Sequence, residues 1–202
     1  MHLKELDWGK RFRRRICMPM SWKRFILIWW AKKEITLLDV GSGSGYLTAA
    51  LGRWIQEEPR GLDEKTPILG SGVTGKVFGI DVHQGLIDLS IQNIRKGDAD
   101  LLDTGVVKIM LGDGWKGLPS EAPFDAIHVG AAADGMPYEL VSQLKVGGVM
   151  IIPMGAQTQI QNLYKIERTS ANDPVGFDPS DYRIISLLGV RYVPLVHPPS
   201  KN

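Results

Sequence analysis

The tightest constraint on this chain is one strand-to-helix transition. Ile35–Val40 (ITLLDV) is a short apolar run that halts at a glycine cluster, DVGSGSG, running from Asp39 to Gly45. From Ser44 to about Gln56, Leu47, Leu51 and Ile55 then recur at helical spacing. A run apolar on both faces suits a strand buried in a parallel sheet. A parallel strand needs a crossover before its neighbour, usually a helix. The transition therefore predicts an α/β architecture from its first element.

The rest of the chain continues the alternation. Lys76–Ile80 reads as a second strand and His83–Lys96 as a second helix, through Leu86, Ile87, Ile91 and Ile94. Val106–Leu111, Phe124–Val129 and Val149–Pro153 read as further strands, with a helix over Pro137–Leu144. After that the helices stop. Gln159–Ile166, Tyr182–Leu188 and Val190–Leu195 have strand character and are joined by turns. The pattern predicts a doubly wound, Rossmann-like sheet with helices on both faces, mostly parallel, with an antiparallel C-terminal edge. Two loops interrupt it: Glu57–Gly75, read as a surface insertion, and Thr169–Asp181, read as a hairpin excursion.

Composition narrows the class. At 202 residues, 44% apolar and 23% charged, the chain suits one domain with a sizeable core. Its one cysteine, Cys17, excludes an internal disulfide and favours a reducing compartment. Met1–Lys33 holds ten Lys/Arg against Glu5 and Asp7, a charge of +8, so the remainder carries −6. An acidic body gives no support to nucleic-acid binding. The longest apolar run of the head, Phe25–Ala31, is seven residues, against the roughly 20 that span a bilayer. The head reads as a helix packing Trp22, Phe25, Ile26 and Trp29, with Arg11, Arg13, Arg14 and Arg15 solvated; an amphipathic membrane-surface or transit segment is the other reading. His2, His83, His128 and His197 show no metal-ligand spacing, and no metal site is expected. His128, near the fourth strand's rim, is expected to be a packed or hydrogen-bonded structural residue.

The chemistry gathers at strand ends. Gly41, Gly43 and Gly45 let a ligand approach the backbone where side chains would block it. In the nicotinamide pattern G-x-G-x-x-G the third glycine would fall at position 46, which is Tyr46 here. The spacing G-x-G-x-G behind acidic Asp39 resembles that of S-adenosyl-L-methionine (SAM) sites, with Asp39, Gly41, Ser42, Gly43, Ser44 and Gly45 as candidate residues. Asp81 closes the second strand, where a carboxylate can accept from both ribose hydroxyls or cap the following helix. Asp113, in LGDGW, can accept from an adenine amino group, with Gly114 leaving room for the ring; Asp-Gly is also a common turn. Three successive strand ends carrying these residues point to one converging site.

LLDVGSGSGYLT, GKVFGID, LGDGW, FDAIHVGAAA, GGVMIIPMG and LGVRYVPL, in this order, closely resemble the protein-L-isoaspartate O-methyltransferase family from about Leu37 to Leu195. The resemblance implies SAM as cofactor, contacted by Ser44, by Asp81 with Val82, and by Asp113 with Gly114. It implies methyl transfer to the α-carboxyl of L-isoaspartyl residues in damaged proteins, with isoaspartyl proteins or peptides as partners and a cytoplasmic monomer as the form. No nucleic acid and no integral membrane partner is expected, and no catalytic residue is assigned. The organisation expected is 1–34 as an atypical basic segment, 35–197 as the SAM-binding domain and 198–202 as a short tail.

The match is uneven. Related chains carry a segment of the type I-S-x-P-H/F-M before the first strand, which helps to hold the substrate carboxylate; nothing from Met1 to Thr36 reads that way. Where they show Thr after the YVPL run, this chain has Val196. Two readings stay open: an isoaspartyl methyltransferase whose substrate half is altered, and a SAM-binding or interaction protein descended from one without turnover. A nicotinamide oxidoreductase is disfavoured by Tyr46.

Overall fold

The computed structural model describes residues 34–56, 74–171 and 177–198. The basic head before Glu34, residues 57–73 of the insertion and 172–176 of the excursion lie outside them, and with them the expectations placed there. The described elements are strands β1 (Glu34–Val40), β2 (Thr74–Asp81), β3 (Val107–Leu111), β4 (Phe124–Val129), β5 (Leu144–Met154), β6 (Gln161–Arg168) and β7 (Tyr182–Val190), with helices α1 (Tyr46–Gln56), α2 (Gln84–Asp103) and α3 (Tyr138–Val141).

All seven strands form one sheet in the order β3-β2-β1-β4-β5-β6-β7. β1 to β5 pair in parallel, and β6 and β7 join antiparallel, as the pattern predicts. The chain winds from β1 outward to β3, then returns to lay β4 on the other side of β1. That reversal makes the gap between the carboxyl ends of β1 and β4 the switch point, where open α/β sheets take ligands.

The central strands β1, β2, β4 and the second half of β5 are buried on both faces, which is why they read as continuous apolar runs, whereas β7 is exposed along most of its length. Ile35 and Leu37 of β1 meet Val77 and Val107 under Ala49, Leu51 and Ile55 of α1 and Ile94 and Leu101 of α2. Leu38 and Val40 point to the other face, with Phe78, Ile80, Phe124 and Ile127, where Leu140 of α3 and part-buried Trp115, Leu118 and Leu195 pack. Among the described residues the two long helices thus share one face, and the other is closed by α3, a 3-10 turn at Pro119–Glu121 and connecting segments.

Three element boundaries differ from expectation for identifiable reasons. α2 runs past Lys96 to Asp103, through a non-helical Asp98 (φ −142°, ψ 39°). Arg53 of α1 bonds both Asp98 and Asp100 there, and Leu101 is fully buried beyond the break. The bonds from Arg53 hold Asp100 below its usual carboxylate range and raise the guanidinium in turn. The helix expected over Pro137–Leu144 is only α3, because Leu144 already pairs with Phe124 as the start of β5. Val190–Leu195 is not a strand of the sheet. Past β7 the chain crosses back to the loop after β4, with a single bridge between Ala132 and Pro194.

Candidate functional site

The glycine turn leaves β1 at the switch point. Gly41, Gly43 and Gly45 all have positive φ (75°, 54° and 78°), a region that other residues enter only with strain. Gly41 and Ser42 donate their N–H groups to Ile80 O of β2, at 2.8 and 3.0 Å, so the turn leans on the neighbouring strand. Across the gap, Gly130 N after β4 donates to Val40 O at 2.8 Å. A Cβ on Gly41 would come no closer than 3.8 Å to Gly130, and one on Gly43 would meet only Gly41 O, also at 3.8 Å. At both positions a Cβ would therefore sit at ordinary contact distance, without a clash.

Gly45 serves a different purpose. Its Cβ would lie 2.9 Å from Ser90 Cβ and 3.2 Å from Ile94 Cδ1, so this glycine lets α1 start hard against α2. Gly114 is similar. A Cβ there would meet Leu195 Cδ1 and Val40 Cγ1, each at 2.7 Å, so the room left by that missing side chain is filled by protein rather than held for a ring.

Asp39 ends up inside. Its side chain is almost fully buried, and its two oxygens are bonded by Thr48 Oγ1 at 2.6 Å and His128 Nδ1 at 2.7 Å. Asp39 and His128 sit side by side on β1 and β4, and Thr48 comes from the first turn of α1. Gly79, beside Asp39 on β2, makes this possible: a Cβ there would lie 2.9 Å from Thr48 Oγ1. The trio fixes the tips of β1 and β4 and the base of the glycine turn. His128 is thus a hydrogen-bonded residue, as expected of it. Thr48 was missed, although a polar residue on the buried side of an amphipathic helix is a readable signal.

Asp81 and Asp113 sit on the same rim. Asp81, 7% exposed, accepts from Gly43 N at its Oδ2 and from His83 N at its Oδ1, both at 3.1 Å. The bond to His83 is a local turn. α2 begins at Gln84, and its cap residue His83 makes no side-chain capping bond. Asp113 accepts from Trp115 N at 3.0 Å and pairs with His197 Nδ1 at 3.0 Å. An ionised carboxylate offers about four lone-pair sites, so each aspartate retains acceptor capacity.

Ser42 Oγ is the remaining signal. It is buried in the turn and has no hydrogen-bond partner among the described residues, which a bound polar group would correct. Ser44 is exposed, and its carbonyl accepts from Asn93. Val82, which follows Asp81, is half-buried. The polar groups this rim offers are a buried hydroxyl and two accepting carboxylates, while the N–H groups of Gly41, Ser42, Gly43 and Gly45 are taken up by Ile80 O, Asp81 and Ser42 O. The rim fits a ligand that brings hydroxyl and amino donors.

A parallel sheet with an antiparallel edge and a ligand rim of this kind define a Rossmann-like domain of the methyltransferase class. Within that class, the chain belongs to the protein-L-isoaspartate(D-aspartate) O-methyltransferase family, whose model matches residues 25–199. It is 39% identical over 159 residues to protein-L-isoaspartate O-methyltransferase 2 of Arabidopsis thaliana, covering 78% of this chain and 43% of that one. It is 43% identical over 117 residues to the Caenorhabditis elegans protein-L-isoaspartate O-methyltransferase, covering 58% and 45%. The chain thus spans about half the length of these relatives. Among solved structures it resembles a protein from Plasmodium falciparum assigned as a protein-L-isoaspartate O-methyltransferase, in complex with S-adenosyl-L-homocysteine. The TM-score is 0.65 at 29% identity, over 87% of this chain and 71% of that one.

Proposed function

We propose that this chain takes SAM as cofactor and methylates the α-carboxyl of L-isoaspartyl residues in damaged proteins. The observation that carries the reading is the family match over residues 25–199, laid on a switch-point rim whose acceptors suit an adenosyl ligand. The Plasmodium falciparum relative, which holds S-adenosyl-L-homocysteine, adds support.

In this reading Asp81 accepts from the ribose hydroxyls, with Val82 beside it, and Asp113 accepts from the adenine amino group. The hydroxyls of the turn, those of Ser42 and Ser44, face the amino-acid end. Asp39 acts from behind, holding the turn through Thr48 and His128. SAM, when bound, supplies an electrophilic methyl group. The chain's own task is alignment and exclusion of water, which in favourable cases lowers a barrier by about 7–11 kcal/mol. An isoaspartyl carboxyl titrates near about 4 and is ionised at neutral pH, so the nucleophile needs no strong base. The reading carries with it a cytoplasmic monomer that acts on proteins without a nucleic-acid partner. Among the described residues, no helix is long and apolar enough to cross a membrane. It also carries the division into a head of 1–34, a SAM-binding domain of 35–197 and a tail of 198–202.

Transfer of labelled methyl from SAM to an isoaspartyl peptide, with none to the matching aspartyl peptide, is the expected result. Absence of transfer at high enzyme concentration would reject it. A second reading, SAM binding without turnover, is favoured by one observation: the I-S-x-P-H/F-M pattern is not legible ahead of β1. It predicts calorimetric binding of SAM with no methyl incorporated.

A further inference from the structure

Asp113 belongs to a closed circuit that joins two distant stretches of chain. Its Oδ1 accepts from Trp115 N at 3.0 Å, and its Oδ2 pairs with His197 Nδ1 at 3.0 Å. The imidazole of His197 stacks on the Trp115 indole, with centroids 5.6 Å apart and planes 23° from parallel. Trp115 Nε1 in turn donates to Leu195 O at 3.1 Å, and Leu195 fills the space beside Gly114. Asp-Gly-Trp after β3 and Leu-Val-His at 195–197 therefore interlock residue by residue. The segment carrying Leu195 is itself anchored to the loop after β4, since Ala132 N donates to Val193 O and Leu195 N to Ala132 O, at 2.7 and 2.8 Å.

An ionised carboxylate only accepts, so the imidazole must donate from Nδ1. This matters for recognition. A purine with an amino group at its six-position offers a carboxylate a donor there, whereas a six-oxo purine offers an acceptor at that position and carries its donor on N1. A carboxylate free to rotate can escape the repulsion at position six by turning to N1–H or to water. Asp113 is only 12% exposed and is tied at both oxygens, while His197 sits outside it at 66% exposed. The carboxylate is thus covered and locked, with lone pairs left over for a ligand.

We infer that His197, braced by Trp115, is a positioning residue that locks Asp113 as an amino-group acceptor and so makes the site selective for a 6-aminopurine over a 6-oxopurine ligand. This rests on the adenosyl reading of the rim. It adds residues from the far end of the described chain to that subsite and assigns them to discrimination.

The test compares S-adenosyl-L-homocysteine with S-inosyl-L-homocysteine, its six-oxo analogue, by calorimetry on the full chain. His197→Phe keeps the ring stack and removes the donor; His197→Asn restores a donor at similar reach. His197→Phe should bind the adenosyl ligand about fivefold to tenfold more weakly, as one lost charge-assisted bond implies, and should leave the inosyl ligand unchanged or slightly tighter. His197→Asn should keep the wild-type preference. An unchanged ratio of the two affinities in His197→Phe overturns the inference. So does tighter adenosyl binding in that variant, which would make His197 a competitor for Asp113. If the wild-type chain binds neither ligand, the adenosyl reading itself fails. A ligand-independent check is the imidazole nitrogen spectrum at mildly alkaline pH. His197 should carry its proton on Nδ1 in the wild type and lose that preference in Asp113→Ala, and an Nε2 proton in the wild type also overturns the inference.

Discussion

Asp81 and Asp113 stand at the tips of neighbouring strands and begin alike. Each accepts from the backbone N–H two residues on, His83 for one and Trp115 for the other, at 3.1 and 3.0 Å. They part at the second oxygen. Asp81 takes the N–H of Gly43, a backbone group that any residue but proline could supply. Asp113 takes the imidazole of His197, which only a particular side chain at a particular place can supply. The first arrangement is built into the glycine turn and comes with the fold. The second depends on a chain segment that must travel from the far edge of the sheet. One site can therefore contain a part fixed by topology and a part open to change by single substitutions.

The comparison can be broken at several points. Asp81→Ala removes the acceptor for Gly43 and His83 as well as the proposed ribose contact. It should weaken S-adenosyl-L-homocysteine binding at least about a hundredfold by calorimetry. Asp113→Ala should cost about tenfold, and equal losses would erase the distinction between the two tips. Thr48→Val leaves one oxygen of buried Asp39 unpaired. It should cost about 1–3 kcal/mol in urea unfolding, and a neutral result would show that the trio under the turn is not needed for folding. Gly114→Ala pushes a Cβ against Leu195 and Val40. A loss of about 1–2 kcal/mol is expected, with Asp113-dependent binding weakened and Asp81-dependent binding spared. Arg53→Ala should leave ligand binding unchanged and act on stability alone. The clamp lies away from the rim, but Asp98 is buried and would lose its partner, so about 1–3 kcal/mol should be lost. Because Arg53 holds Asp100 below its usual range, this contribution is full above that range and fades as pH falls through it toward the lowered value. Unfolding in acid should show less of that slope in the variant.

The sequence was readable where cause and effect lie close together. The run ITLLDV before its glycines, the carboxylates at 81 and 113, and the parallel sheet with its antiparallel edge all follow from local pattern and from the rules for parallel sheets. The extended α2 was not readable, because Gly97 and Asp98 look like a terminus unless Arg53 is known to reach across from α1. The apolar run Val190–Leu195 looks like a strand, yet its hydrophobicity serves a crossing segment whose Leu195 packs on the core. Among the glycines, sequence alone could not separate Gly41 and Gly43, where a Cβ would meet no clash, from Gly45 and Gly114, whose missing side chains make way for Ser90 and Leu195. His197 gave no signal, since its partner lies 84 residues earlier.

The most direct test follows backbone amide signals while S-adenosyl-L-homocysteine is titrated into the isotope-labelled chain. Signals from Gly41 to Gly45, from Asp81 to His83 and from Asp113 to Trp115 should shift together and saturate with one dissociation constant. Shifts confined to one of these three stretches, or appearing only elsewhere, would contradict a single adenosyl site at the carboxyl ends of β1, β2 and β3.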